Sequence, residues 1–253
     1  MESVAYAQMD ANEADHWWFM ARRDILARLI GHYGGETGDL RLLEAGCGTG
    51  GNIDMLRRFG KLDAFEFDPV ARARASEKAG VAIPYGALPD GIPFTDRTYD
   101  LIVLFDVLEH IEDDAATLAA LGAHLAPNGR ILLTVPAMPW LWSAHDTYNH
   151  HFRRYTRATL KKPVAASGLK AERVFYFNSL LFPLAVVQRM AKRLLGRDSA
   201  DDVKPAPWLN GLLYQIFRSE RHFLTRGALP FGLSACAVLS NPAAAKAAQD
   251  AAA

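Results

Sequence analysis

The chain has 253 residues, half of them hydrophobic, which suits one medium-sized domain with a real core. Lys and Arg number 28, as do Asp and Glu, a balance that argues against a general nucleic-acid binder. Only two cysteines occur, Cys47 and Cys236, so a disulfide framework and a thiolate zinc site are excluded and a reducing cytosol fits.

The opening stretch, "MESVAYAQMDANEADHWW", lacks a basic region followed by an apolar run, so no secretion signal is expected. No apolar run reaches the roughly 18 residues of a transmembrane helix. Residues 1–39 are expected to form a helical lid segment, with Trp17, Trp18 and Phe19 as its apolar side. Four short apolar runs follow: "LRLLEA" (40–45), "LDAFEF" (62–67), "YDLIVLF" (99–105) and "RILLTVP" (130–136). Their continuous apolar character predicts strands buried on both faces of a parallel sheet. The segments between them predict helices. Asp68 is a natural N-cap before Pro69, and Gly60, Gly80 and Gly129 mark stops. Alternating strands and helices predict a Rossmann-like, doubly wound α/β domain over 40–240. Thr156 then caps another helix, "LKAERVFYFN" alternates like a strand, and "LPFGLSACAVLSN" closes the sheet. A helical insertion, 178–226, separates these two strands. The Ala-rich residues 241–253 are expected to be a disordered tail.

The loop "LLEAGCGTGGN" leaves the first strand and opens a helix. Gly46, Gly48 and Gly50 permit tight turning and close backbone approach to a ligand. Gly46, Gly48 and Gly51 also satisfy the dinucleotide pattern, so glycines alone do not choose a cofactor. Two acids bear on the choice. Glu44 ends the strand, where it would repel a pyrophosphate and suit a cationic amino group. Glu66 lies about 20 residues further on, where an acid takes ribose hydroxyls. Together they describe S-adenosylmethionine better than NAD.

At these residues the chain resembles the class I S-adenosylmethionine-dependent methyltransferases. "EAGCGTG" is similar to their first motif, and "FEFDP" to the second-strand acid and helix start, with Phe67 beside Glu66. "LPDGIPFTDRTYDLIVLFDVLEHIEDD" and "LAPNGRILLTVP" are similar to their fourth and fifth strand regions. The resemblance implies a seven-stranded, mostly parallel sheet with an antiparallel last strand. It places adenine on the backbone of Ala87 and Leu88, because "YGALPDGIPF" lacks the family's Asp before "LPF". A looser likeness to the ubiquinone-biosynthesis O-methyltransferases implies that Phe105 and Asp106 touch the cofactor. It also implies that Arg22, in "HWWFMARRDIL", reaches the methionine carboxylate.

Asp106, Glu109 and His110 form D-x-x-E-H, and acidic versions of this block in some of those relatives take a divalent cation. Acids at a helix start also serve the dipole without one, and no metal is expected here. "HDTYNHHFRRYT" (145–156) follows the fifth strand of the family pattern, beyond the carboxyl edge where α/β sheets bind ligands. His145, oriented by Asp146, is the expected base, and Arg153 and Arg154 the expected clamp for an acceptor anion. Trp140 and Trp142 would wall the acceptor. The bland alternative is a solvated loop whose arginines pair with Asp113 and Asp114.

In the insertion, Leu180, Leu184, Val187, Leu194 and Leu195 recur at helical spacing, with Arg189, Lys192, Arg193 and Arg197 crowding one end. This fits peripheral contact with an anionic membrane, a lid, or a dimer face. The expected activity is methyl transfer to a small hydrophobic or lipid-like acceptor, at oxygen, by a cytoplasmic and in part membrane-associated enzyme. An NAD(P)-dependent oxidoreductase, which Glu44 disfavours, and a non-catalytic S-adenosylmethionine-binding or membrane-peripheral partner protein are the rivals. No nucleic-acid partner is expected, and the oligomeric state is open.

Overall fold

The computed structural model describes residues 3–35, 38–195 and 204–252. Two helices open the chain, α1 (Ser3–Glu13) and α2 (Trp17–Tyr33). Then come β1 (Leu40–Ala45), α3 (Ile53–Arg57), β2 (Gly60–Phe65), α4 (Pro69–Ala79), β3 (Tyr99–Phe105), α5 (Asp114–Ala123) and β4 (Leu125–Pro136). A long loop holds the one-turn helix α6 (Ala144–Tyr148). After it follow α7 (Arg157–Ala166), β5 (Lys170–Phe177), α8 (Phe182–Leu194), α9 (Pro207–Ser219), β6 (Ser234–Ser240) and α10 (Pro242–Ala252).

The sheet order is β2-β1-β3-β4-β6-β5. β1 to β4 pair in parallel, and β6 runs antiparallel between β4 and β5. The central strands carry continuous apolar runs, such as Leu101–Phe105 in β3 and Ile131–Leu133 in β4, because both faces are covered. Leu43, Ile102, Leu104, Ile131 and Leu133 pack on the side of α5 and α7. Leu42, Leu101, Val103 and Leu132 pack on the other, against Ile25, Leu26 and Leu29 of α2. The expected N-cap holds: the Asp68 carboxylate accepts from the N–H groups of Val70 (2.8 Å) and Ala71 (3.0 Å), with Pro69 at the first helical position.

Two expectations need correction. The sheet among the described residues has six strands, not seven. Where the family pattern would have its third strand, only a single parallel bridge forms, between Glu66 and Tyr85. Pro84, Pro89 and Pro93 fall in this stretch, and a residue without an N–H cannot continue a ladder. The segment after residue 240 is also not a disordered tail as far as Ala252. It is helix α10, entered through Asn241, whose side-chain oxygen accepts from Ala243 N–H (3.0 Å) and Ala244 N–H (3.3 Å), and it packs along β4.

The insertion falls between β5 and β6. α9 packs on α2: Trp17 stands edge-on to Phe217 at 6.0 Å and the Tyr214 hydroxyl donates to Asp24 at 2.8 Å. Buried Glu220 pins its base by accepting from the Ser179 and Leu180 N–H groups at 2.7 and 2.8 Å. α8 leans on the loop after β4, through Arg189 to the Leu141 carbonyl (2.7 Å) and Phe182 to Trp140 (6.1 Å). Its outward face stays bare, with Val187 65% and Leu194 86% exposed, and Trp208 on α9 is 72% exposed. Arg197 and the Arg193 side chain lie outside the described residues. No helix among the described residues is long and apolar enough to cross a membrane.

Candidate active site

The carboxyl ends of β1 and β2 meet at the glycine loop. Gly46, Gly48 and Gly50 all have positive φ, at 75°, 56° and 85°. At Gly46 the need is double, since a Cβ there would stand 2.9 Å from a Val107 methyl. Glu44 is 1% exposed. One of its oxygens accepts from the Asn52 amide at 3.1 Å, and the other is buried with no hydrogen-bond partner. Burial pushes its pKa up to about 8 against the Asn52 hydrogen bond. A buried carboxylate oxygen without a partner is costly, and an ammonium is the group that would relieve it. Glu66 braces the loop: it accepts from Gly48 N–H at 2.7 Å and from Asp68 N–H at 2.9 Å. Burial raises its pKa despite these bonds.

Phe67 is exposed beside Glu66, and its ring lies 5.8 Å from that of exposed Tyr85. The expected adenine contact at Ala87 is already half consumed. Its N–H donates to the Gly91 carbonyl (2.9 Å), and its own carbonyl accepts from Gly91 (2.7 Å). Leu88 packs on the core. The aromatic pair Phe67–Tyr85 is therefore the more available surface for a flat base.

Helix α1 brings groups to the loop that motif spacing does not reveal. Glu13 accepts from Thr49 at 2.5 Å and Lys78 at 2.6 Å. Its carboxylate lies so close to Gly51 that a Cβ there would come within 2.5 Å of it. The Met9 methyl reaches 3.2 Å from where a Gly48 Cβ would stand. Asp10 pairs with Arg74 and with Lys78 (2.6 Å), clasping α1 to α4. Burial, then the nearby charges of Glu66 and Asp68, raise the Tyr6 phenol well above its usual range.

At the end of β3, Arg22 is buried between the rings of Trp18 and Phe105, 5.1 and 5.5 Å from their centroids. Its Nη2 donates to Asp106 (2.6 Å) and to the Thr134 hydroxyl (2.8 Å), while its Nε is buried without a hydrogen-bond partner. Asp106 is thus paired with Arg22. Glu109 and His110 instead meet His151. One donor atom from each lies within 4.8 Å of the others, close enough for a single cation to bridge. Burial, then the Asp106 charge, drive the Glu109 pKa well up. Burial, then His151, push His110 down to about 3.

The loop after β4 is wired differently from the expectation. Asp146 is fully buried. It accepts from Ser143 N–H (2.9 Å), His151 Nδ1 (2.9 Å) and Arg154 Nε (2.7 Å). Burial alone would raise its pKa. The His151 and Arg154 hydrogen bonds, with the Arg154 charge, outweigh that and hold it well below the usual carboxylate range. Asp146 therefore orients His151, not His145, whose Nε2 faces the Asn149 amide at 3.0 Å. Arg154 is a buried brace that also donates to the Ala137 carbonyl (3.1 Å), not an open clamp. Arg153 donates to the Glu112 carbonyl (2.8 Å) and pairs with Asp114 (3.0 Å), as the bland reading held for one of the two acids.

Parallel strands, a glycine loop with an acid on each side, and a polar loop beyond the fourth strand define a class I methyltransferase fold. Residues 8–174 match the family model Methyltransf_23, described as a methyltransferase domain, and the chain belongs to that family. A Mycolicibacterium smegmatis protein named as a probable S-adenosylmethionine-dependent methyltransferase is 29% identical over 62% of this chain and 61% of its own length. A ubiquinone biosynthesis O-methyltransferase of Methylocella silvestris is 35% identical over 36% of this chain and 37% of its own. The matched stretch thus spans less than two-thirds of either relative. The Haloferax volcanii protein solved with the Trm112 methyltransferase activator shares the fold, with a TM-score of 0.60, 18% identity and coverage of 94% and 95% of the two chains.

Proposed function

We propose that the protein transfers a methyl group from S-adenosylmethionine to an oxygen of a small hydrophobic or lipid-like acceptor. The observation that carries this reading is Glu44, a buried carboxylate with one unpartnered oxygen beside a loop of left-handed glycines. A pyrophosphate there would be repelled, and an amino-acid ammonium would be held. Arg22 Nε would take the neighbouring carboxylate, Glu66 the ribose hydroxyls, and Phe67 with Tyr85 the adenine face. When bound, the cofactor supplies an electrophilic methyl on a sulfonium. The protein's share is to align an acceptor in line with it and to exclude water. Oxygen as nucleophile is supported by the polar loop after β4 and by the similarity to ubiquinone biosynthesis O-methyltransferases. A lipid-like acceptor is supported by the bare apolar face of α8, which adjoins Trp140 and Leu141 of that loop.

Calorimetry tests the cofactor. S-adenosylhomocysteine should bind, and Glu66→Ala should weaken it by about 1.5–3 kcal/mol, the worth of hydrogen bonds to a charged group. Binding of NADH in its place would refute the reading.

A further inference from the structure

We propose that helix α1 is a gate on the cofactor site, latched by ion pairs and hinged at the turn into α2; this rests on the cofactor reading above and holds for any acceptor. Met9, Asp10 and Glu13 share one face of α1, at the three- and four-residue spacings of neighbouring turns. That face lies across the glycine loop and α4. The Met9 methyl is 3.2 Å from where a Gly48 Cβ would stand, and the Gly48 N–H is the one that Glu66 holds at 2.7 Å. Glu13 accepts from the Thr49 hydroxyl in the same loop. Charge fastens the rest. Asp10 pairs with Arg74 and with Lys78 (2.6 Å), and Glu13 pairs with Lys78 (2.6 Å). None of the described α1 side chains joins the buried apolar core. The Arg74 and Lys78 side chains remain 38% and 37% exposed. Pairs this open to water are each weak and yield to salt, so the latch can release while the core stays folded.

The carboxyl end of α1 is held differently. Arg23 of α2 donates to the Glu13 carbonyl at 2.7 Å. Asn210 of α9, 8% exposed, clamps the turn that follows. Its Oδ1 accepts from Trp17 N–H and its Nδ2 donates to the Asp15 carbonyl, each at 2.9 Å. Lys204 pairs with Asp15 beside it. α2 beyond the turn is rooted in the core through Ile25, Leu26 and Leu29. A helix held by exposed charge along its length and by a buried amide at one end swings about that end. The insertion therefore supplies the fulcrum of the gate, a role that needs no membrane.

Exchange kinetics of tritiated S-adenosylhomocysteine on the full-length protein test the gate. Lys78→Met removes two latch pairs and should raise both the association and the release rate by roughly 2–30-fold, the worth of two partly exposed pairs, with Kd within a few-fold. Release from wild type should quicken with sodium chloride, and release from Lys78→Met should respond less. The converse variant is Asp10→Cys with Arg74→Cys, bridged by a cleavable bis-maleimide; Cys47 and Cys236 are buried and stay unmodified. Bridging the loaded protein should slow release by about tenfold or more, and cleaving the bridge should restore it. Release unchanged by the bridge would overturn the proposal. So would a Lys78→Met whose release quickens while its association does not, since α1 would then be a contact on the cofactor and not a gate. A wild type that binds no S-adenosylhomocysteine would overturn the cofactor reading, and the gate with it.

Discussion

Glu44 supports a prediction that can be worked from its surroundings. The carboxyl is buried, and its pKa in the empty protein stands at about 8. Holding a cofactor ammonium requires the ionised form. At pH 7 that form is the minority by about one pKa unit, a cost of about 1.4 kcal/mol, and at pH 6 the cost doubles to about 2.7 kcal/mol. The affinity for S-adenosylhomocysteine should therefore rise about tenfold per pH unit from pH 6 to 8 and level off above. Glu44→Gln keeps an acceptor for Asn52 and removes the charge. It should erase the slope and lower affinity at pH 8.5 by roughly 10–100-fold, in the range of a charged hydrogen bond. Stability of the empty protein runs the opposite way. A folded pKa raised above the unfolded value of 4.5 gives a contribution that is whole below pH 4.5 and lost as pH rises through about 8. The melting temperature of Glu44→Gln should thus gain on wild type between pH 5 and 8.5. Calorimetry across pH, with thermal melts, reads both. A wild-type affinity that is flat from pH 6 to 8.5, or a slope that survives in Glu44→Gln, would refute the assignment.

The buried pair in the loop after β4 should behave unlike the partly exposed one beside it. Asp146→Ala leaves Arg154 charged, buried and unpaired, and should cost about 3–5 kcal/mol in chemical denaturation, while Arg153→Ala should cost under about 1 kcal/mol. Because the Asp146 pKa is depressed, its contribution should be whole above about pH 4 and fade as pH falls further, so the gap between Asp146→Ala and wild type should close in acid. The α8 face makes a separate prediction. Co-sedimentation with phosphatidylglycerol vesicles should exceed that with phosphatidylcholine and fall with salt, and Val187→Asp with Leu194→Asp should abolish it. Sedimentation that ignores lipid charge and both substitutions would leave the face to a second copy of the chain.

Much of the fold is legible because the signals are local. A continuous apolar run between glycines, such as "YDLIVLF", predicts a strand covered on both faces, and β3 is one. Asp68 before Pro69 fixes a helix start without reference to anything distant. Pro84, Pro89 and Pro93 mark in the sequence why only a bridge forms where the family pattern has its third strand, since none of them can donate to a ladder. α10 shows the converse. "NPAAAKAAQDAAA" has no apolar stripe, so amphipathicity marks it as a tail. Yet alanine is the best helix former, Asn241 supplies the cap, and β4 supplies the contact that composition cannot show.

The site divides along the same line. Glu44 and Glu66 sit at strand ends a fixed distance from a glycine loop, so spacing alone finds them. Glu13 and Met9 reach that loop from α1 and leave no mark in its motif. The loop after β4 is the instructive case, because Asp146 pairs with His151, five residues on, and not with the adjacent His145. "SAHD" is a capping pattern, with Ser143 three residues before Asp146. On the resulting turn of helix, His145 and Asp146 are successive residues, about 100° apart around the axis, so one cannot orient the other. A partner for Asp146 has to come from beyond the turn. The chain reverses at Asn149 and at His150, whose φ is 55°, and this brings His151 and Arg154 back onto the carboxylate. Arg154 in this stretch is then a buried brace and not an open clamp, while Arg153 pairs with Asp114. One buried aspartate orders the stretch, through His151 at 2.9 Å and Arg154 at 2.7 Å.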